Sequence, residues 1–145
     1  MKIKLDKKFE LMFRDDPEIF YYFLYGGRAG SKSFTSSIYL ANRLVNGKGN
    51  LVYCRQYLTN IDKTIIPEFL EKIKLLNISH LLKVNKDNIT CLLNGNQLWF
   101  KGLETSEGTA EAGMKGLKSL AVVLIDEAQE IKEEAFDRLL RNCKR

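Results

Sequence analysis

An apolar aromatic run that breaks into glycine and resumes as a helix narrows the folds open to this chain. Residues 19–25 (Ile-Phe-Tyr-Tyr-Phe-Leu-Tyr) are β-branched or aromatic, too short for a helix and followed at once by Gly26-Gly27. They read as a buried strand. The turn continues through Arg28, Ala29, Gly30 and Ser31 to Lys32, Ser33 and Phe34. From Phe34 the apolar residues Ile38, Ala41, Leu44 and Val45 recur at helical spacing until Asn46-Gly47. A strand, a glycine turn and a helix in that order can cradle phosphate. Glycines let the backbone approach an anion, and the helix offers free N–H groups and its positive dipole end. Lys32 would lie along the β and γ phosphates, and the Ser33 hydroxyl would ligate Mg²⁺. Against the pattern G-x-x-x-x-G-K-[ST], the last glycine is displaced by one to Gly30, with Ser31 before the lysine. The loop alone therefore also admits an ordinary turn with a solvated lysine.

The rest of the chain reads as alternating strands and helices. Leu51 to Cys54 forms a short strand, and Ile61, Ile65, Phe69, Ile73 and Leu76 mark an amphipathic helix around Pro67. Residues 88–93 and 97–100 flank Asn94-Gly95, a pair that predicts a tight hairpin with positive φ at both positions. Residues 104–119 read as a glycine-containing loop. The unbroken run Leu120 to Ile125 predicts a central parallel strand buried on both faces. A helix over Lys132 to Asn142 follows. This order implies an α/β fold with a mostly parallel sheet flanked by helices, carrying an inserted hairpin, with ligands bound beyond the carboxyl ends of the strands. At 145 residues, 45% of them hydrophobic and 28% charged, the chain suits one domain with a real core.

Composition excludes several classes. No apolar run approaches a membrane span, and charges interrupt the N-terminus too often for a signal peptide. Three scattered cysteines and a lone histidine fit neither a disulfide framework nor a zinc ribbon. The net charge of +5 permits an anionic partner without establishing one.

Asp126 and Glu127 stand directly after the last predicted strand. In a nucleotide hydrolase, Asp126 would hold Mg²⁺ through its water shell, and Glu127 would orient and deprotonate the attacking water, a role worth about 10² to 10⁴ in rate. Taken alone, the pair could equally cap the last helix, worth roughly 1 kcal/mol. The joint occurrence of strand, glycine loop, Lys-Ser, helix and strand-borne Asp-Glu favours a P-loop NTPase of the additional-strand, catalytic-glutamate type.

With those residues in view, the chain resembles the large subunit of the tailed-phage terminase, especially its PBSX-like branch. Gly26 to Ser33 is similar to that family's deviant Walker A loop, which often begins Gly-Gly-Arg, and Val122 to Ala128 to its Walker B segment. Between them, the strand ending in Arg55, the helix, the hairpin with Phe100-Lys101-Gly102-Leu103 and the basic loop over residues 114–119 follow the family's order. The resemblance implies an ATP-hydrolysing motor that drives double-stranded viral DNA into a preformed capsid. Its implied setting is the host bacterial cytoplasm, as a homo-oligomeric ring docked on the portal protein and served by the small terminase subunit. It implies ATP and Mg²⁺ as cofactors and residues 26–34 as the nucleotide loop. Lys32 and Ser33 would sit on phosphate and metal, Asp126 would support the metal, and Glu127 would be the catalytic carboxylate. Arg28 matches an arginine proposed in some relatives to act as a finger in cis, a role worth about 10³ to 10⁵ in rate; a phosphate clamp or a loop-shaping ion pair is the alternative.

Two departures accompany the resemblance. The family often meets adenine with an upstream glutamine, but none precedes Gln56, so Phe20 to Tyr22 offer only stacking or backbone contacts. The coupling motif and nuclease domain of the family have no counterpart in residues 1–145. The chain therefore reads as the N-terminal part of a larger protein or as a truncated prophage frame, with nucleotide binding without turnover as the alternative function. A different ring or helicase-like ATPase is the other alternative that the Walker elements leave open.

Overall fold

The computed structural model describes residues 3–27, 31–105, 108–109 and 120–143, and the side chains of 104, 105, 108, 109, 142 and 143 are not considered. Among the described residues, six strands form one sheet: β1 (Asn50–Tyr57), β2 (Leu82–Val84), β3 (Asn88–Cys91), β4 (Gln97–Thr105), β5 (Gly108–Thr109) and β6 (Leu120–Ile125). Their order is β2-β3-β4-β1-β6, with β5 paired to β4. The α-helices among the described residues that flank it are α1 (Lys32–Asn46), α2 (Ile65–Ile73) and α3 (Glu133–Cys143).

The pleat sorts side chains between two cores. Leu51 and Tyr53 of β1, Leu98 and Phe100 of β4, and Val122 and Leu124 of β6 face α1 and α2. Val52 and Cys54, Trp99 and Leu103, and Val123 and Ile125 face the opposite side, where Leu139 of α3 is buried. The first core is the larger. Phe100, fully buried, has Tyr53 5.6 Å and Phe69 5.8 Å away between ring centroids.

Local chemistry explains the helices. In α1 the small residues Ser36, Ser37 and Ala41 are buried beside Ile38, Leu40 and Leu44, which lets the helix lie close on the sheet. Ser37 satisfies its hydroxyl by donating to the Ser33 carbonyl at 2.8 Å. Pro67 falls in the first turn of α2, where no intrahelical N–H is lost, so the helix is not kinked there.

Several expectations need correction. The sheet is mixed rather than mostly parallel: β1 runs parallel to both β4 and β6, whereas β2, β3, β4 and β5 pair antiparallel in succession. Connections of a few residues between β2, β3 and β4 leave no room for a parallel crossover. Residues 19–25 form no strand, and Phe20, Phe23 and Tyr25 are exposed. Aromatic composition supplies strand propensity, but a strand exists only through pairing, and residues 19–25 pair with none of the described strands. β6 is parallel as expected, yet among the described residues it lies at the sheet's edge, with Ala121 exposed and its other residues half-buried. The hairpin forms with a wider loop. β3 ends at Cys91, whose N–H donates to the Asn96 carbonyl at 2.8 Å, and positive φ falls on Gly95 but not Asn94. Most of the predicted loop over residues 104–119 lies outside the described residues.

Candidate functional site

The wide hairpin loop anchors α1. Asn94 Nδ2 donates to the carbonyls of Leu44 and Val45, and buried Asn96 Nδ2 to those of Leu44 and Gly47, at 2.9–3.2 Å. These carbonyls would otherwise be orphans at the helix C-terminus. The last turn of α1 is thus pinned beside the amino ends of β4 and β1. A helix of this length extends about 22 Å, nearly the length of β1, and it packs on the face carrying Leu51 and Tyr53. Its N-terminus, bearing Lys32 and Ser33, is therefore directed toward the carboxyl ends of the parallel strands.

The glycine loop prepares that N-terminus. Gly26 has φ +134°, a conformation that side chains rarely adopt, and a Cβ added at Gly27 would meet nothing within 4 Å. Lys32 Nζ donates to the carbonyls of Gly26 and Gly27 at 2.5 and 2.8 Å, folding the ammonium onto its own loop. Ser31 is left-handed at φ +57° and gives no side-chain cap. A non-glycine residue pays about 1–2 kcal/mol for that geometry. Ser33 is exposed, and Phe34 is half-buried against the larger core. Arg28, Ala29 and Gly30 lie outside the described residues.

The carboxylates occupy the end of β6. The Asp126 N–H donates to the Cys54 carbonyl at 2.9 Å, extending the ladder by one residue. Alternation then places Asp126 on the face of Val122 and Leu124, the side that α1 covers. Its Oδ2 accepts Tyr53 Oη at 2.5 Å and Arg55 Nε and Nη2 at 2.9 and 2.5 Å. Burial works against ionisation of Asp126, but the bonds from Tyr53 and Arg55 and the charge of Arg55 outweigh it, holding the carboxyl below its ordinary value. Burial, reinforced by the bond to Asp126, pushes the Tyr53 hydroxyl well above its usual range and keeps it a donor. Partial burial opposes the charge on Arg55, yet the bond to Asp126 wins and raises its pKa.

Glu127 follows with φ +52° and ψ +46°, exposed, its Oε2 accepting Gln129 Nε2 at 2.5 Å. Asp126 and Glu127 do not cap α3, which begins at Glu133. Gln56, buried at the end of β1, accepts the Lys132 N–H on Oε1 at 3.3 Å and so ties the segment after Glu127 back to the sheet. Tyr53, Arg55 and Gln56 were not singled out from sequence. The available signal was the change along β1 from the apolar Leu51 and Val52 to a second half carrying Tyr53, Arg55, Gln56 and Tyr57.

Among the described residues, no hydrogen bond or ion pair links the glycine loop to Asp126 or Glu127. Nor do they contain a group of three or more His, Cys, Asp or Glu able to hold a metal by themselves. The donor set suits a hard cation such as Mg²⁺, which takes one or two carboxylates and completes its shell with waters and phosphate oxygens. In the described part of the loop, a Cβ at Gly26 or Gly27 would meet nothing within 4 Å, so an anion could approach this backbone, where the Lys32 ammonium rests on the two carbonyls. No helix among the described residues is long and apolar enough to cross a membrane.

A family model for the phage terminase large subunit matches residues 18–144. The PBSX phage terminase large subunit of Bacillus subtilis (strain 168) is 24% identical over 121 residues, covering 83% of this chain and 27% of the relative. The chain thus spans about a quarter of the length of the curated relative it matches.

Proposed function

The chain belongs to the phage terminase large subunit family, and from that premise we propose that it is the nucleotide-binding part of a DNA-packaging motor, with a P-loop built from residues 26–34. One observation carries the reading. The asparagines at the C-terminus of α1 direct Lys32 and Ser33 toward the strand ends where Asp126 stands, on the same sheet face.

Bound Mg·ATP would supply the phosphoanhydride to be cleaved, with the metal screening its charge. Backbone N–H groups at the start of α1 and the Lys32 ammonium hold the phosphates. The Ser33 hydroxyl and the Asp126 carboxylate would hold the metal, which would draw charge off the phosphates. Glu127, exposed and displayed on a left-handed residue, takes the proton from water, and the strain of about 1–3 kcal/mol at such a residue is of the kind found at active sites. Arg28 acts on the phosphates from the loop. Within the whole protein the partners are double-stranded phage DNA, the portal protein and the small terminase subunit, with the motor working as a ring.

Lys32→Ala removes a charge-assisted contact and is expected to lose Mg·ATP binding in calorimetry; undiminished affinity would sink the assigned cradle. The position of residues 19–27 outside the sheet favours a second reading for these 145 residues alone, binding without turnover. Phosphate release by the purified chain distinguishes the two.

A further inference from the structure

We infer that Tyr53 and Arg55 are positioning residues for the Asp126 carboxylate, turning it so that one oxygen is held by the protein and the site's grip on a divalent cation depends on them. This rests on the nucleotide reading above. The observation is an asymmetry: all three side-chain donors reach the same oxygen, Oδ2. The backbone leaves little freedom, because Ile125 is paired with Cys54 and the Asp126 N–H is bonded to the Cys54 carbonyl. Nor can Tyr53 swing away. Tyr53 is 9% exposed and packs against Phe100, which Phe69 also contacts.

Arg55 supplies a planar fork, two of whose donors converge on that oxygen, and this geometry distinguishes it from lysine. Mg²⁺ dehydrates reluctantly and takes few protein ligands. The orientation of a single carboxylate therefore weighs heavily, and partners that orient a metal ligand commonly change metal affinity by about 10- to 100-fold.

The test uses substitutions that keep the net charge, since removing the Arg55 charge would itself alter attraction for a cation. Tyr53→Phe deletes only the hydroxyl and keeps the ring in the core; Arg55→Lys keeps the charge and loses the fork. A fluorescent ATP analogue is titrated onto wild type and both variants, with Mg²⁺ varied and with EDTA. The expected result is a Mg²⁺ half-saturation raised about 10- to 100-fold in both variants, with affinity in EDTA unchanged. A purely structural role would lower the unfolding temperature and leave the Mg²⁺ half-saturation where it was, which overturns the inference. Equal loss of binding with and without Mg²⁺ also overturns it, by showing general damage to the site. Wild type that fails to bind the analogue under any condition instead refutes the nucleotide reading, and this inference falls with it.

Discussion

The two halves of the candidate site are built in opposite ways. Among the described residues, the glycine loop is held by contacts a few positions apart, Lys32 reaching back to Gly26 and Gly27. The carboxylate end of β6 is held across the chain, Asp126 being bonded to residues 73 and 71 positions away. A self-contained loop can rearrange around a ligand at little cost to the fold. A carboxylate wired to a buried tyrosine and a half-buried arginine cannot. The loop is suited to admitting a ligand, and the β6 end to keeping its geometry while the loop does so.

The largest effect expected from breaking this division is on turnover. In the full-length protein, Glu127→Gln should lower phosphate release by about 10² to 10⁴ while Mg·ATP still binds, because Glu127 is exposed and bonded only locally. Retained DNA-stimulated phosphate release would move the general base elsewhere.

Stability should separate the halves next. Asp126→Ala leaves the Tyr53 hydroxyl and the Arg55 guanidinium without their shared acceptor, which costs about 1–3 kcal/mol. The loss should fall short of the upper end, since the side chains of Arg55 and Asp126 keep 30% and 23% of their exposure. Lys32→Ala removes only local bonds and should stay within about 0.5 kcal/mol of wild type. Urea unfolding of the two variants measures the difference; equal losses would erase the contrast.

Asn96→Ala probes what connects the halves, since Asn96 fixes the end of α1 remote from the loop. It frees the Leu44 and Gly47 carbonyls from a buried donor, at about 1–2 kcal/mol. If α1 is aimed by this anchor, Mg·ATP affinity should fall with stability although the substitution lies a helix length from the loop. Unchanged affinity would show that packing on the sheet aims α1 without it.

What the sequence disclosed follows the same line between local and distant order. α1, β1, the β3–β4 hairpin and α3 were legible because apolar period and turn residues are properties of short windows. The fate of residues 19–25 and the edge position of β6 were not, because whether an apolar run becomes a strand, and how deeply, is decided by partners elsewhere. Asn94-Gly95 marked the hairpin correctly but misjudged its turn, since Asn94 and Asn96 serve the C-terminus of α1. In the site, the phosphate-loop pattern and the Asp-Glu pair could be found by inspection. Tyr53 and Arg55 could not, because nothing near them in sequence names Asp126 as their partner.

The smallest expected effect is the pH dependence of that wiring, and its sign follows from Asp126. Its folded-state pKa lies below the ordinary value of 3.8, so its pairing stabilises the fold fully above that value and is lost as pH falls through the folded pKa. Tyr53 and Arg55 are both shifted upward, far from this range, and keep their protons throughout. Other carboxylates titrate in the same window, so the useful quantity is the difference in unfolding free energy between wild type and Asp126→Ala. That difference should be constant from about pH 7 to pH 5 and narrow below pH 4, as the wild-type carboxyl takes up a proton and the variant has none to take. A gap that stays constant through the acid range would mean that Tyr53 and Arg55 hold the neutral carboxyl as well as the charged one, and that charge contributes nothing to fixing this end of the site.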